Sequence, residues 1–142
     1  MRGVFTFLEN EIVMWDIFIG YVSEDKEDIV LPLANALKKG GLSVEYEDFA
    51  LDPGKMLEQV LDQGFGVAKY GIIVLSPHFF EKPWSPQELE ELRSHDEEQS
   101  GYMLFHVWHH LTHADVQQFS RGLAEEMSFL TSEGIETITC LI

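Results

Sequence analysis

The stretch GIIVLSP at residues 71–77 constrains the fold more than any other part of the chain. It sets four branched or long apolar residues in a row and then stops at a Ser-Pro pair. A strand with no polar alternation must be covered on both faces. A parallel sheet with helices on each side supplies that cover. The rest of the chain agrees. MWDIFIG (14–20) and YMLFHVW (102–108) have the same buried-strand character. LSVEY (42–46) alternates as a strand does, and SFLTS (128–132) suits a short edge strand.

Helical patterns fill the intervals. In SEDKEDIVLPLANALKKGG (23–41), Val30, Leu33, Ala34 and Leu37 share one face. Ser23 is the expected cap, acids fill the first turn, and Lys38-Lys39 followed by Gly40-Gly41 closes the helix. Pro32 predicts that the regular helix begins late or bends. MLEQVLDQGFGVAKY (56–70) starts as a helix and is expected to weaken at Gly64 and Gly66. A third helix runs from Ser85 to about His95, HADVQQF and RGLAEEM (113–127) give short helical pieces, and residues 133–142 a final helix or tail. EDFALDPGK (47–55) is a loop by its Asp-Pro-Gly, and residues 94–101 form a solvated turn. The order implies an α/β fold with a parallel sheet and helices on both faces.

Open sheets of this kind bind ligands beyond the carboxyl ends of their strands, where strand order reverses. In a flavodoxin-like order the reversal lies between the first and third strands. The candidate pocket is then built from GYVSED (20–25) and SPHFFEKPWSPQE (76–88). Glu88 lies in the second segment and has two readings. Ser85-Pro86-Gln87-Glu88 fits a capping box, with proline at the first helical position. The same glutamate stands where an active-site acid would. Phe79 and Phe80 read as core. Trp84, outside any periodic apolar stripe, is expected to face a substrate.

Several function classes are excluded or weakened. The 142 residues carry 9 basic and 25 acidic side chains, a net charge of −16, with no basic cluster larger than Lys38-Lys39. Nucleic acid needs clustered cations and is not an expected partner. No apolar run reaches about 18 residues, so no membrane span is expected. The one cysteine, Cys140, allows no internal disulfide, which fits a cytoplasmic setting. Gly64-Phe65-Gly66 precedes a strand, whereas a dinucleotide fingerprint follows one. His106, His109, His110 and His113 have helical spacing but lie on a strand and the loop after it. They are read as scattered surface histidines, with no metal site. A flavodoxin-like phosphoacceptor would need an acidic cluster that FIGY (18–21) does not supply.

Residues 15–92, with the SEDK loop, the DFALDPG loop, VLSPHFF and Trp84-x-x-x-Glu88, closely resemble a bacterial TIR (Toll/interleukin-1 receptor) domain. The similarity continues through VWHHLTHADVQQFSRGLAEEMSFLTSEGIE (107–136). The resemblance implies a flavodoxin-like five-stranded parallel sheet over residues 15–142, preceded by an extension at 1–14. It implies an NAD+ glycohydrolase that cleaves the nicotinamide–ribose bond, giving ADP-ribose or a cyclic isomer, in bacterial immune defence or signalling. NAD+ is then substrate, with no cofactor needed. Glu88 takes the catalytic position, and Gly20, Tyr21, Ser23, Phe49, Asp52 and Trp84 take substrate-binding positions. The family's other class acts as a non-catalytic TIR–TIR interaction module. Self-association is expected in either case, with a separate sensor or effector protein as partner, or further domains in a longer chain. Gly20-Tyr21 departs from the usual Ser-His, and Lys55-Met56 from Asp-Ser. Glu24 and Asp25 oppose an anionic pyrophosphate, so backbone N–H groups or Lys26 would have to offset them.

Overall fold

The computed structural model describes residues 15–51, 57–94, 103–126 and 128–141. Five strands form one parallel sheet in the order β2-β1-β3-β4-β5. They are β1 (Trp15–Gly20), β2 (Val44–Glu45), β3 (Ala68–Leu75), β4 (Met103–Trp108) and β5 (Ser128–Leu130). The helices are α1 (Leu31–Lys39), α2 (Leu57–Val67), α3 (Pro77–Phe80), α4 (Pro86–Ser94), α5 (His113–Phe119), α6 (Arg121–Glu125) and α7 (Ile135–Leu141). This is the flavodoxin-like arrangement expected from the sequence.

Two cores lie on opposite faces of the sheet because β1 and β3 are apolar at every inward position. On one face Ile17, Ile19, Ile72 and Val74 pack against Val30 just ahead of α1, Leu33 and Leu37 of α1, and Ile138 of α7. On the other, Phe18, Ile73 and Leu75 pack against α2, α3, α4, α5 and α6. Side-chain alternation along a strand divides the residues between the faces.

The first helical segment begins differently from the expectation. Val22, not Ser23, occupies the N-cap, and no side chain caps it. A 3-10 turn (Ser23–Asp25) leads into a π-helical turn (Lys26–Val30) before α1. Pro32 supplies the physical reason. Its ring would press on the carbonyl of Asp28 in a regular helix. The chain winds one wide turn ahead of it, with the Leu31 N–H donating to the Lys26 carbonyl.

Helix α2 runs unbroken through Gly64 and Gly66, against the expected weakening. Gly64 is there for proximity. A Cβ at Gly64 would lie 2.5 Å from the Phe18 ring, and one at Gly71 2.6 Å from it. Phe18 is fully buried and is registered opposite Gly71 in the sheet. The two glycines form a slot for one aromatic ring.

The described residues include no helix long and apolar enough to cross a membrane. Residues 1–14 and Asp52 lie outside the described residues.

Two stability tests arise from this packing. Gly66 has open space around its missing Cβ. Gly66→Ala should therefore stabilise the protein by about 0.5–1 kcal/mol through helix propensity and unfolded-state entropy. Gly64→Ala gains the same propensity but drives a methyl into Phe18, and should destabilise by about 1–3 kcal/mol. Urea midpoints of the two variants, moving in opposite directions from wild type, check this.

The second test concerns His106. Its ring is buried on β4, and Nε2–H donates to the Leu92 carbonyl at 3.2 Å. Burial lowers its pKa to about 4. The unfolded chain binds a proton near pH 6.5 while the folded chain resists it. The associated stability is complete above pH 6.5 and is lost as pH falls toward 4, by about 3 kcal/mol. A His106→Leu variant should show a flatter dependence of unfolding free energy on pH across that window.

Candidate active site

The strand order places the reversal between β1 and β3, and the segments that leave them carry the candidate residues. Gly20 ends β1, paired with Ile73, and a Cβ there would come within 3.2 Å of the Ile73 side chain. Tyr21 extends β1 by a bridge to Ala50, with the Leu51 N–H donating to the Tyr21 carbonyl at 2.5 Å. This bridge anchors the base of the DFALDPG loop beside β1.

The aromatic side chains at these positions are core residues. Tyr21 is 2% exposed and its ring packs edge-on to Tyr46. Phe49 is 5% exposed, with its ring 5.2 Å from Phe18. They support the loops from beneath, and Ser23 in the following turn is exposed.

Two contacts tie the first-strand loop to the third-strand loop. At the rim, Lys82 Nζ donates to Glu24 Oε2 at 2.9 Å, which lowers the Glu24 pKa. Beneath it, the Ser76 hydroxyl donates to Asp25 Oδ2. Asp25 is buried, and loss of hydration raises its pKa while the Ser76 bond opposes that rise. The same Ser76 oxygen accepts the Phe79 N–H at 3.1 Å and caps α3. The acids that the sequence set against an anionic ligand are thus largely answered within the protein, Glu24 by Lys82 and Asp25 by burial and Ser76. Lys26 lies with Nζ 6.0 Å over the Tyr46 ring. Asp25 and Ser76 were not singled out as a pair from the sequence, since they lie 51 residues apart.

Glu88 sits at the start of α4 in a complete capping box. The Ser85 N–H donates to Glu88 Oε1 at 3.2 Å, and the Glu88 N–H donates to Ser85 Oγ at 3.1 Å. The carboxylate is half-buried and held at the positive end of the helix. The cap reading of this glutamate is therefore correct as geometry, and it fixes the side chain's direction.

Trp84, expected to face a substrate, is half-buried. Its indole N–H donates to the Phe79 carbonyl at 2.7 Å, and the ring stacks on Phe79 at 4.9 Å. Its remaining surface lines a cavity of about 380 Å³ with Phe80, Lys82, Leu89 and Phe119. Glu88 is not among the lining residues of that cavity.

The histidines also differ from the expectation. His106 and His109 are buried, at 4% and 7% exposed, and His109 and His110 converge on Asp28. Spacing among the histidines could not reveal this, because Asp28 lies 81 positions upstream of His109.

A parallel sheet of order 2-1-3-4-5, with a half-buried carboxylate held on the segment leaving β3, defines a flavodoxin-like domain whose strand order reverses between β1 and β3. The family model described as "TIR domain" matches residues 17–130, and the chain belongs to that family. It is 41% identical over 119 residues to "2' cyclic ADP-D-ribose synthase AbTIR" of Acinetobacter baumannii, covering 83% of this chain and 44% of that protein. It is 42% identical over 118 residues to "NAD(+) hydrolase PdTIR" of Paracoccus denitrificans, covering 82% of this chain and 39% of that protein. The chain therefore spans less than half the length of these relatives. Among solved structures, the TIR domains of the activated Roq1 resistosome superpose with a TM-score of 0.62 at 19% identity, over 90% of this chain and 99% of that one.

Trp84→Ala removes a stacked ring and its hydrogen bond, and should cost about 2–4 kcal/mol. Trp84→Phe keeps a ring against Phe79 and loses only the N–H bond, about 1 kcal/mol. Guanidinium unfolding of both variants, with the Ala change clearly the larger, checks the packed role.

Proposed function

We propose that the protein cleaves NAD+ between nicotinamide and ribose, with Glu88 as the carboxylate that faces the reacting ribose. The observation that carries this is the placement of Glu88. It is pinned by its own helix cap on the segment leaving β3, where open sheets bind ligands. Similar family members named for NAD+ hydrolysis and for cyclic ADP-D-ribose synthesis support the same chemistry.

Bond cleavage leaves an oxocarbenium-like ribose, as in glycoside hydrolysis. Glu88 would accept hydrogen bonds from the ribose hydroxyls and oppose the growing positive charge at the sugar. The nicotinamide ring of NAD+ is already cationic and departs neutral, so no general acid is required. This is why one carboxylate serves where most glycosidases use two. Attack by water on the sugar carbon gives ADP-ribose and releases a proton. Attack by a hydroxyl of the same molecule gives a cyclic isomer.

The backbone of Gly20 and Tyr21 with the Ser23 hydroxyl would line one side of the substrate, above a floor of Phe49. Asp52 would also contact substrate, and Trp84 would hold the Glu88 segment in position. Assembly of TIR domains through the 47–55 loop would complete the site, in a cytoplasmic protein of bacterial defence or signalling. The net charge of −16 opposes such assembly, and moderate salt screens it.

Incubation with NAD+ and chromatographic product analysis test this reading. Wild type should release nicotinamide, with specific activity rising with protein concentration. Glu88→Gln and Glu88→Ala should lose at least about 100-fold in turnover, the scale seen when a charge-stabilising group is removed. Both should stay folded, since a lost cap costs about 0.5–2 kcal/mol. Wild-type turnover by folded Glu88→Gln would remove Glu88 from the reaction.

A further inference from the structure

A second constellation lies at the carboxyl ends of β4 and β5, outside the Glu88 segment. Three separate parts of the chain meet there: the π-helical turn through Asp28, the loop at His109-His110, and the turn at Thr131. His109 Nε2 lies 2.5 Å from Asp28 Oδ2, and His110 Nε2 lies 3.5 Å from the same oxygen. The ligating atoms of Asp28, His109 and His110 all fall within 4.8 Å of one another. The imidazole rings are 3.9 Å apart between centroids. We propose that Asp28, His109 and His110 form a site for one divalent transition-metal ion, Zn2+ foremost.

Four observations support the assignment. Two imidazole nitrogens and one carboxylate oxygen are the donor set that Zn2+ takes with a fourth position left open, whereas Mg2+ and Ca2+ prefer oxygen alone. Two of the three ligand separations are close to those of such a site. Tetrahedral ligands at about 2.0 Å from Zn2+ stand about 3.3 Å apart. The Asp28–His110 separation already matches, and the exposed Asp28 side chain needs a shift of under about 1 Å to open the His109 contact to the same value.

Third, His109 is oriented from behind. Its Nδ1 lies 2.9 Å from Thr131 Oγ1, and its backbone N–H donates to the Leu75 carbonyl at 2.8 Å. With Nδ1–H donating to Thr131, the Nε2 lone pair faces the Asp28 carboxylate and the His110 ring, where one metal ion would be held by all three. A hydrogen-bond acceptor on the far ring nitrogen, the role Thr131 Oγ1 takes here, orients a metal-bound histidine.

Fourth, the backbone is unusual at His110, the only non-glycine residue with positive φ among the described residues, at 58°. Such conformations are uncommon and cluster at functional sites. The constellation opens onto a cavity of about 450 Å³ walled also by Trp108, Leu130 and Ile135, which leaves room for a water on the fourth position.

The test uses the full chain, free of any affinity tag and treated with chelator. Titration with Zn2+ by calorimetry should show one tight site per chain. Co2+ in its place should give the intense visible bands of a tetrahedral ion. Zn2+ should raise the melting temperature. The His109→Ala/His110→Ala double variant should lose at least about 100-fold in affinity, and Thr131→Val, which keeps all three ligands, about 10-fold. Asp28→Asn, at an exposed position, serves if the double variant does not fold, and should lose at least about 10-fold. Zn2+ binding equal in wild type and these ligand variants would overturn the site, as would Co2+ that keeps its octahedral spectrum in the wild-type protein. Glu88→Gln should bind Zn2+ as wild type does, which separates this site from the proposed chemistry at Glu88.

Discussion

The fold depends on one ring in one slot. Phe18 is buried between Gly71 of β3 and Gly64 of α2, with Phe49 and Phe65 closing the sides. Full burial of such a ring contributes about 1.5–3 kcal/mol, but its larger effect is geometric. It sets how closely α2 lies on the sheet and locks β1 to β3 in a register that ends both strands at the same edge. The reversal of strand order, and the loops that meet there, inherit their position from that contact.

At that edge the protein manages a difficult charge pattern. A chain of net charge −16 places Glu24 and Asp25 beside the region proposed for an anionic substrate. Lys82 covers one, and burial against Ser76 withdraws the other. Coulomb repulsion that would reach across an open loop is reduced by the Lys82 pairing at Glu24 and, at Asp25, by burial that disfavours the charged form. The segment leaving β3 therefore contributes both Lys82, which neutralises the rim, and Glu88, the proposed acid.

Much of this was legible in the sequence, and the reasons are physical. The apolar run at Ile72–Leu75 demands cover on both faces, and the capping box at Ser85–Glu88 is a local pattern whose partners are three residues apart. Pro32 announced an irregular helix start because its ring acts on a near neighbour. What escaped was long-range. Gly64 looks like a helix breaker until Phe18 is known to sit on it. Trp84 lies outside any periodic apolar stripe, so its stacking on Phe79 has no local signature. The histidine cluster is silent because its carboxylate comes from a helix 81 residues away. Periodicity and capping report contacts within a turn or two, and nothing in them encodes which distant side chains a parallel sheet gathers at one edge.

The Ser76 hydroxyl has a further consequence. One oxygen gives its proton to Asp25 and its lone pair to the Phe79 amide. Neither bond can break without weakening the other, because losing either partner leaves a buried polar group unsatisfied. In hydrogen-exchange terms this couples the opening of the first-strand loop to that of the start of α3, although 51 positions separate Asp25 from Ser76.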